Sequence, residues 1–381
     1  MLEIASGTHP IAGTPTGIAA FVGWAAQGPI DGAILVGSWS DFETQFGGFD
    51  PRFYLGYAVS HFFANGGQQA YVVRLVSDDN GGSTATASAA VMTGAHLLDA
   101  VPIFNLLAAP GETDPGMIAE LQAYCAGRRA FLIVDSAPAS TFATLQNGPD
   151  SLMTGANAIN SALYFPWLNA LDPQQNVTRP FPPSGFVAGL YAATDASRGV
   201  WRSPAGLRVS LTGQSGPVLG LTDPQIAALS AHAVNCIRHI AQFGDVVWGD
   251  RTLGSSDQAG SQWQYISVRR LFIYIEQSLS NGIQWAVFEP NNEQLWAQLR
   301  SSVGSFMQTL FIQGAFQGST PAQAYFVRCD AGNNPQSSVD QGVVNILVGF
   351  AALRPAEFIL IQIQQMAGQA GGSGDANQPP R

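Results

Sequence analysis

The densest set of reactive side chains lies in "HAVNCIRH", where His232, Cys236 and His239 fall at i, i+4 and i+7. On a helix that spacing puts them on one face, where two of them could share a metal ion. One helix rarely supplies a full ligand set, and the sequence has no second Cys/His cluster to complete it. The segment is therefore read as an ordinary packed helix, and no metal or cofactor is assigned. Asp135 ends the apolar run "FLIVDSAP", where α/β enzymes place functional carboxylates; strand-end aspartates also cap the turn that follows. Asp245 and Asp250 in "GDVVWGDR" stand beside Arg251, an arrangement that fits an ion pair better than acid–base work. The patterns G-x-S-x-G, G-x-G-x-x-G and H-E-x-x-H do not occur. All 16 basic residues are Arg. Without lysine there is no P-loop lysine, no Schiff-base lysine and no kinase-type phosphate lysine. No catalytic residue is assigned, and the chain is not expected to be an enzyme.

Composition points to protein partners instead. A chain of 381 residues can bury a sizeable core and is more readily two domains than one. Charged residues make up 11% of it, where a typical soluble domain has about 25%. A surface so poor in charge fits burial against other chains, in a polymer or large oligomer; a large neutral enzyme with a Ser/Gln/Asn surface is the plainer alternative. The net charge of −10 argues against nucleic acid and anionic membranes as partners. Cys125, Cys236 and Cys329 are odd in number and lack CxxC spacing, which fits a reducing compartment rather than a disulfide scaffold. The opening "MLEIASGTHPIAGTP" has no basic n-region, so no signal peptide is expected. No apolar run reaches the roughly 18 residues that would span a bilayer, so no membrane insertion is expected, and exit from a cell would use a route such as lysis.

The elements needed to position these residues divide into two styles. Residues 1–20 read as an arm of short apolar tokens punctuated by Gly and Pro. From 21 to 222, apolar strands alternate with helices, which predicts a layered α/β domain. The strands are "AFVGWA", "AILVGS", "AYVVRLV", "VPIFNLLAAP", "AFLIVDSAP" and "SALYFPWLN". The helices are "SDFETQFGGF" with Ser40 as cap, "DPRFYLGYAVSHFFANGG" with Asp50 as cap, and "DPGMIAELQAYCAG". The low-complexity stretch 78–94 is expected to be an exposed loop. Residues 223–366 read as α+β: the helix "DPQIAALSAHAVNCIRHI", the strand "GDVVWGDRTL", helical patterns over 268–287 and 292–312, the strand "AYFVRCD" and a terminal apolar pair. The tail 367–381 has the composition of a disordered segment.

Two features of the second region face outward. On a helical wheel, Leu295, Trp296, Leu299, Val303, Phe306, Met307 and Leu310 fall within an arc of about 120°. The opposite arc holds Glu293, Gln294, Ala297, Gln298, Ser301, Ser305, Gln308 and Thr309, polar but nearly uncharged. It fits a protein partner or, alternatively, a solvated face in a charge-poor protein. The chain then offers two β-favouring runs, Val343 to Phe350 and Glu357 to Gln364, hinged at Arg354-Pro355. Strands this apolar are an aggregation hazard unless something covers their edges.

The tokens "GDVVWGDRTL", "VRRLFIYIEQSLSNGIQWAVFEPNNEQLW", "AYFVRCD" and "LRPAEFILIQIQQ" resemble the C-terminal domain of contractile tail-sheath proteins. That family occurs in contractile phages, phage-tail-like bacteriocins and extracellular contractile injection systems. "HPIAGTPTGIAAFVGWAAQGP" and "FGGFDPRFYLGYAVSHFFANGGQQAYVVRL" resemble its opening, so the likeness touches both ends and about half of the chain. It implies an α/β outer domain and an α+β inner domain whose sheet is completed by strands from neighbouring subunits, by β-augmentation. The implied donor residues are Leu2 and Ile4 in the N-terminal arm and Phe358, Ile359, Leu360, Ile361 and Ile363 in the C-terminal arm. At about five hydrogen bonds of roughly 1 kcal/mol net, each link would contribute several kcal/mol before side-chain burial.

By the same resemblance, the chain is a structural subunit of a six-start helical homo-oligomer around an inner tube protein. It would work with baseplate and terminal cap proteins, and paralogous sheath chains could co-assemble. The sheath would assemble in the bacterial cytoplasm, store energy in its contacts and contract to drive the tube through a target envelope. Glu293, Gln294, Gln298, Ser301, Ser305 and Gln308 would face that tube. One departure stands out: family members begin with a longer strand of the form T-P-G-V-Y-V-E-E, whereas here only "MLEIA" precedes Ser6. The rival readings are an α/β enzyme using Asp135 under a 78–94 lid, and a non-contractile shell protein.

Overall fold

The computed structural model describes residues 9–75, 84–255 and 261–355. Its first half is built on one large sheet, because the apolar runs form strands buried on both faces, the pattern of parallel sheets covered by helices. In chain order the opening elements are β1 (Ala19–Trp24), β2 (Ile34–Val36), α1 (Trp39–Phe46), α2 (Leu55–Ala64) and β3 (Ala70–Leu75). Next come α3 (Thr84–Ala95), β4 (Leu106–Ala108), α4 (Pro115–Arg128), β5 (Phe131–Asp135) and the single turn α5 (Phe142–Leu145). Then follow β6 (Ser161–Phe165), β7 (Leu168–Asp172), β8 (Val177–Phe181), α6 (Ser184–Arg198), α7 (Asp223–Ala231), β9 (Val234–Ile240) and β10 (Gly244–Trp248). The 8-stranded order is β10-β9-β6-β5-β4-β1-β3-β2. Pairing is parallel throughout except at the two edges, where β2 and β10 run antiparallel to their neighbours.

Side-chain alternation splits the core into two layers. Phe21, Phe131, Ile133, Tyr164 and Ile237 point to the side covered by α1, α2 and α6. Val22, Leu132, Val134, Leu163 and Cys236 point to the side covered by α4 and α7. The strand β9 corrects two expectations. The helix read over 223–240 ends at Ala231, Ala233 takes a left-handed φ of 64°, and the chain re-enters the sheet beside β6. Residues 223–248 thus complete the first sheet instead of opening the second domain at 223; the change of architecture falls after Ser255.

Other boundaries also move. The expected 78–94 loop contains α3: its alanine-rich composition favours helix, and Val91 and Ala95 are buried against the sheet. Gly94 lets α3 approach closely, since a Cβ there would lie 2.4 Å from Leu75 Cδ2. Ser38, not Ser40, caps α1, accepting from the Asp41 amide at 3.1 Å. Asp50 does not cap α2; it holds the Arg52 amide and guanidinium in a turn, and α2 begins at Leu55. "SALYFPWLN" divides at Pro166, which cannot donate to a ladder, and β7 pairs with β8 in a separate hairpin.

The second region consists of α8 (Ile266–Gly282), α9 (Glu293–Ile312), the short α10 (Pro321–Ala324), β11 (Tyr325–Arg328), α11 (Gln336–Asp340) and β12 (Leu347–Phe350). Leu271, Ile275, Val303, Phe306, Met307 and Leu310 form its core under the β11–β12 pair. It is fastened to the first region through α8. Arg270 makes a bidentate bridge to Asp195 of α6, at 2.8 and 2.6 Å, with side chains only 4% and 3% exposed. Burial works against the Arg270 charge, but the Asp195 carboxylate more than offsets it and raises the guanidinium pKa.

Candidate assembly surfaces

The reactive cluster is taken apart by the fold. His232 terminates α7, while Cys236 and His239 sit on β9, where residues three apart face opposite sides of the sheet. Cys236 is fully buried, and His239 turns outward to Asp245 at 2.8 Å. Asp245 therefore has His239 as its partner. Asp250 accepts from Ser267 Oγ at 2.7 Å, at the start of α8. Among the described residues, no group of three or more His, Cys, Asp or Glu is placed to hold a metal ion. No helix among them is long and apolar enough to cross a membrane.

Asp135 sits at the end of β5 and is 2% exposed. Its carboxylate accepts from the Gly111 amide at 3.0 Å and from the amide and hydroxyl of Ser184, both at 2.8 Å. Burial pushes its pKa up to about 6, with those three hydrogen bonds pulling the other way. Ser184 opens α6, so Asp135 ties the first turn of that helix to the sheet, the capping role that strand-end aspartates often take.

The arm lies on its own chain over residues 9–18. The stripe Arg270, Tyr274, Ser278 and Gly282 of α8, spaced by four, receives it. The Thr16 carbonyl accepts from Arg270 at 3.0 Å, and the Thr14 amide donates to Ser278 Oγ at 3.0 Å. Ile11 packs on Gly282, and the His9 ring stacks on Trp285 with centroids 4.0 Å apart. Leu2 and Ile4 lie outside the described residues, as do Phe358, Ile359, Leu360, Ile361 and Ile363.

On α9 the wheel divides much as the sequence implies. Leu295, Trp296, Leu299, Val303, Phe306, Met307 and Leu310 are buried, while Glu293, Gln294, Ala297, Ser301, Ser305 and Thr309 are exposed. Gln298 and Gln308 are half-buried, and Gln308 accepts from the Tyr325 hydroxyl at 2.8 Å, so these two turn partly inward. Glu293 pairs with Arg300 at 2.6 Å. Ser305 and Thr309 donate back to the Ser301 and Ser305 carbonyls. Two of the three hydroxyl protons on this face, those of Ser305 and Thr309, are thus engaged within the helix.

The two-stranded sheet has just β11 and β12 among the described residues. Tyr325, Val327, Val348 and Phe350 pack inward, while Phe326 and Leu347 stand about half exposed on the outer side. The Phe326 ring lies across Gly349, where a Cβ would come within 2.3 Å of it. Ala351 donates to its opposite residue, Ala324. Because hydrogen-bonded pairs alternate along an antiparallel ladder, Phe326↔Gly349 and Arg328↔Leu347 are also bonded pairs. The main-chain groups of Val348 and Phe350 then point to the open side of β12, away from β11. Among the described residues no third strand pairs with either edge.

Comparison with known proteins decides what this architecture is. The family model for the phage tail sheath protein central domain matches residues 90–253, and that for the phage tail sheath C-terminal domain matches 258–366. The helical sheath of the anti-feeding prophage in its contracted state superposes with a TM-score of 0.78 at 31% identity, over 96% of this chain and 98% of that one. The chain belongs to the tail-sheath family. The contracted sheath of the PVC extracellular contractile injection system is similar too, with a TM-score of 0.76 and 29% identity over 93% of each chain. A putative prophage major tail sheath protein of Pseudomonas aeruginosa (strain UCBPP-PA14) is 30% identical over 271 residues, 68% of this chain. The chain spans 66% of that relative's length. Tail-sheath family members are structural sheath subunits of phage tails and contractile injection particles, and this chain has their mixed α/β fold.

Two features of this sheath protein escape sequence reasoning. Arg270 and Asp195 are 75 residues apart, and neither sits in a recognisable pattern. Phe288 is fully exposed at a left-handed φ of 72°, where a bulky side chain is an outlier. Its only signal in the sequence is its place just before Pro290 and the two asparagines of the link between two helices.

Proposed function

We propose that the chain polymerises as a helical sheath around an inner tube, its inner sheet completed by strands from neighbouring copies, and contracts to drive that tube through a target envelope. The observation that carries this reading is the β11–β12 pair, an apolar two-stranded sheet with open edges in a chain that also carries the run Phe358 to Ile363. An isolated two-stranded sheet is marginal in water, and added strands supply main-chain hydrogen bonds whatever their side chains. The same outward patch repeated from copy to copy, in a contact that does not close on itself, gives a helical filament. The exposed arc of α9, Glu293, Gln294, Ser301 and Ser305 with the flanks Gln298 and Gln308, is the inner-tube face in this reading. Leu2 and Ile4 form the N-terminal link. The partners are further copies of the chain, the tube, and baseplate and cap proteins. Work comes from subunit contacts, with no catalytic site, cofactor or nucleotide. Assembly takes place in the bacterial cytoplasm, and the particle leaves by lysis.

Negative-stain electron microscopy of the purified full chain tests the reading. Wide hollow tubes are expected at high protein concentration; a compact monomer under the same conditions would overturn it.

A further inference from the structure

The described chain ends at Pro355, and Pro355 lines a groove of about 880 Å³ that belongs to the first sheet region. The groove lies between α7 and the ends of β9 and β10, with Ile226, Ala227, Ile240 and Trp248 as its apolar lining. Its volume is in the range that encloses several side chains. It cannot take a strand by main-chain pairing, because the β10 edge is already closed: Gly206 and Leu211 donate to the Val247 and Asp245 carbonyls. Arg238 stands in it, stacked over Trp248 at 5.5 Å and paired through one nitrogen with Asp223 at 2.6 Å. Its Nε is buried and has no hydrogen-bond partner.

The residues that follow Pro355 match this lining in chemical kind. Glu357 is the only charged residue between Pro355 and Asp375, and Phe358 to Leu360 come directly after it. A carboxylate two residues along the chain from the groove's rim complements the charge of Arg238, and the apolar run after it complements Ile226, Ala227 and Trp248 in kind.

We propose that, before assembly, the groove holds the chain's own segment 356–360, with Glu357 on Arg238 and Phe358 to Leu360 in the apolar lining. This rests on reading Phe358 to Ile363 as the donated strand. It supplies what that reading lacks, a cover for an aggregation-prone strand on a free subunit. Docking in the same chain has the advantage of a short tether, whose effective concentration is in the millimolar range. A neighbour's open sheet edge then competes for the segment, which makes assembly depend on an edge being presented.

The test is disulfide formation in the full chain carrying Ala227→Cys and Leu360→Cys, at dilute protein concentration; Cys125, Cys236 and Cys329 are all buried. An internal bridge in the monomer is expected, forming at least tenfold faster than in a control pairing Leu360→Cys with Ser301→Cys. Adding Glu357→Arg should abolish that advantage, and adding Arg238→Glu to it should restore the advantage. Equal rates for the two pairs, or bridges only between chains, would overturn the proposal. Electron microscopy of the unmodified chain separates this from the sheath reading. Tubes together with equal rates would sink the docked segment alone. A fast internal bridge in a chain that never polymerises would keep the docked segment and sink strand donation.

Discussion

At one edge of the eight-stranded sheet, Gly206 and Leu211 donate to the Val247 and Asp245 carbonyls, and at the other β2 is only 3 residues long. At the outer edge of the two-stranded sheet, the main-chain groups of Val348 and Phe350 face away from β11 and no third strand pairs there among the described residues. The first region blunts its edges in the ways monomeric sheets do. The second leaves edges open beside an apolar patch of Phe326 and Leu347. Among the described residues, then, one sheet has both edges blunted, and the other keeps an edge on which a further strand has room to pair.

The largest expected effect of breaking this contrast is at the joint between the two regions. Arg270→Ala leaves Asp195 buried without its cation and should cost about 3–5 kcal/mol in denaturant unfolding. Replacing both residues with apolar ones of similar size should recover most of the loss, because the uncompensated charge goes with them. Failure of the double variant to recover would mean that Arg270 acts through the Thr16 carbonyl and the arm instead.

Asp135 tests the closed region by pH. Its folded pKa of about 6 lies above the ordinary 3.8, so the folded state holds the proton more tightly. The stability this contributes is fully present below pH ~4, declines as pH rises and is gone above about pH 6, a span of about 3 kcal/mol. Asp135→Asn should flatten that slope, measured as unfolding midpoints at pH 4.5 and 7.5. An unchanged slope would place the ionisation elsewhere.

Smaller effects separate the open sheet from its surroundings. Val348→Pro removes an amide directed away from β11, so the β11–β12 pair should persist. Assembly should weaken about tenfold in critical concentration, the loss of one hydrogen bond worth roughly 1.4 kcal/mol. Sedimentation across a concentration series reads this directly. Smallest of all, Ser305→Arg on the exposed arc of α9 should leave stability within about 0.5 kcal/mol and leave self-assembly intact. It should reduce only co-assembly with the inner tube protein.

Much of this was legible in the sequence, for identifiable reasons. The strands of the first sheet are apolar throughout because both faces are covered, and α9 reads clearly because 20 residues give its periodicity room to repeat. The segment 234–240 reads as helix in the sequence because 7 residues are too few to separate the two periods. His232, Cys236 and His239 happen to fit helical spacing, while Val234, Cys236 and Ile237 already show the two-sided burial of a strand. α3 was hidden by low-complexity composition, although its alanines favour helix. The apolar run ending at Phe350 announced a strand, but its open edge depends on which amides point away from β11, and that is set by three-dimensional pairing. The Arg270–Asp195 bridge left no local trace.

The central claim is that the sheet opened by β11 and β12 is finished by residues beyond Pro355 of another copy. Negative-stain electron microscopy of the full chain beside a truncation ending at Pro355 tests it most directly. The account predicts hollow tubes from the full chain and a folded monomer from the truncation. Tubes of equal width and number from both would contradict it.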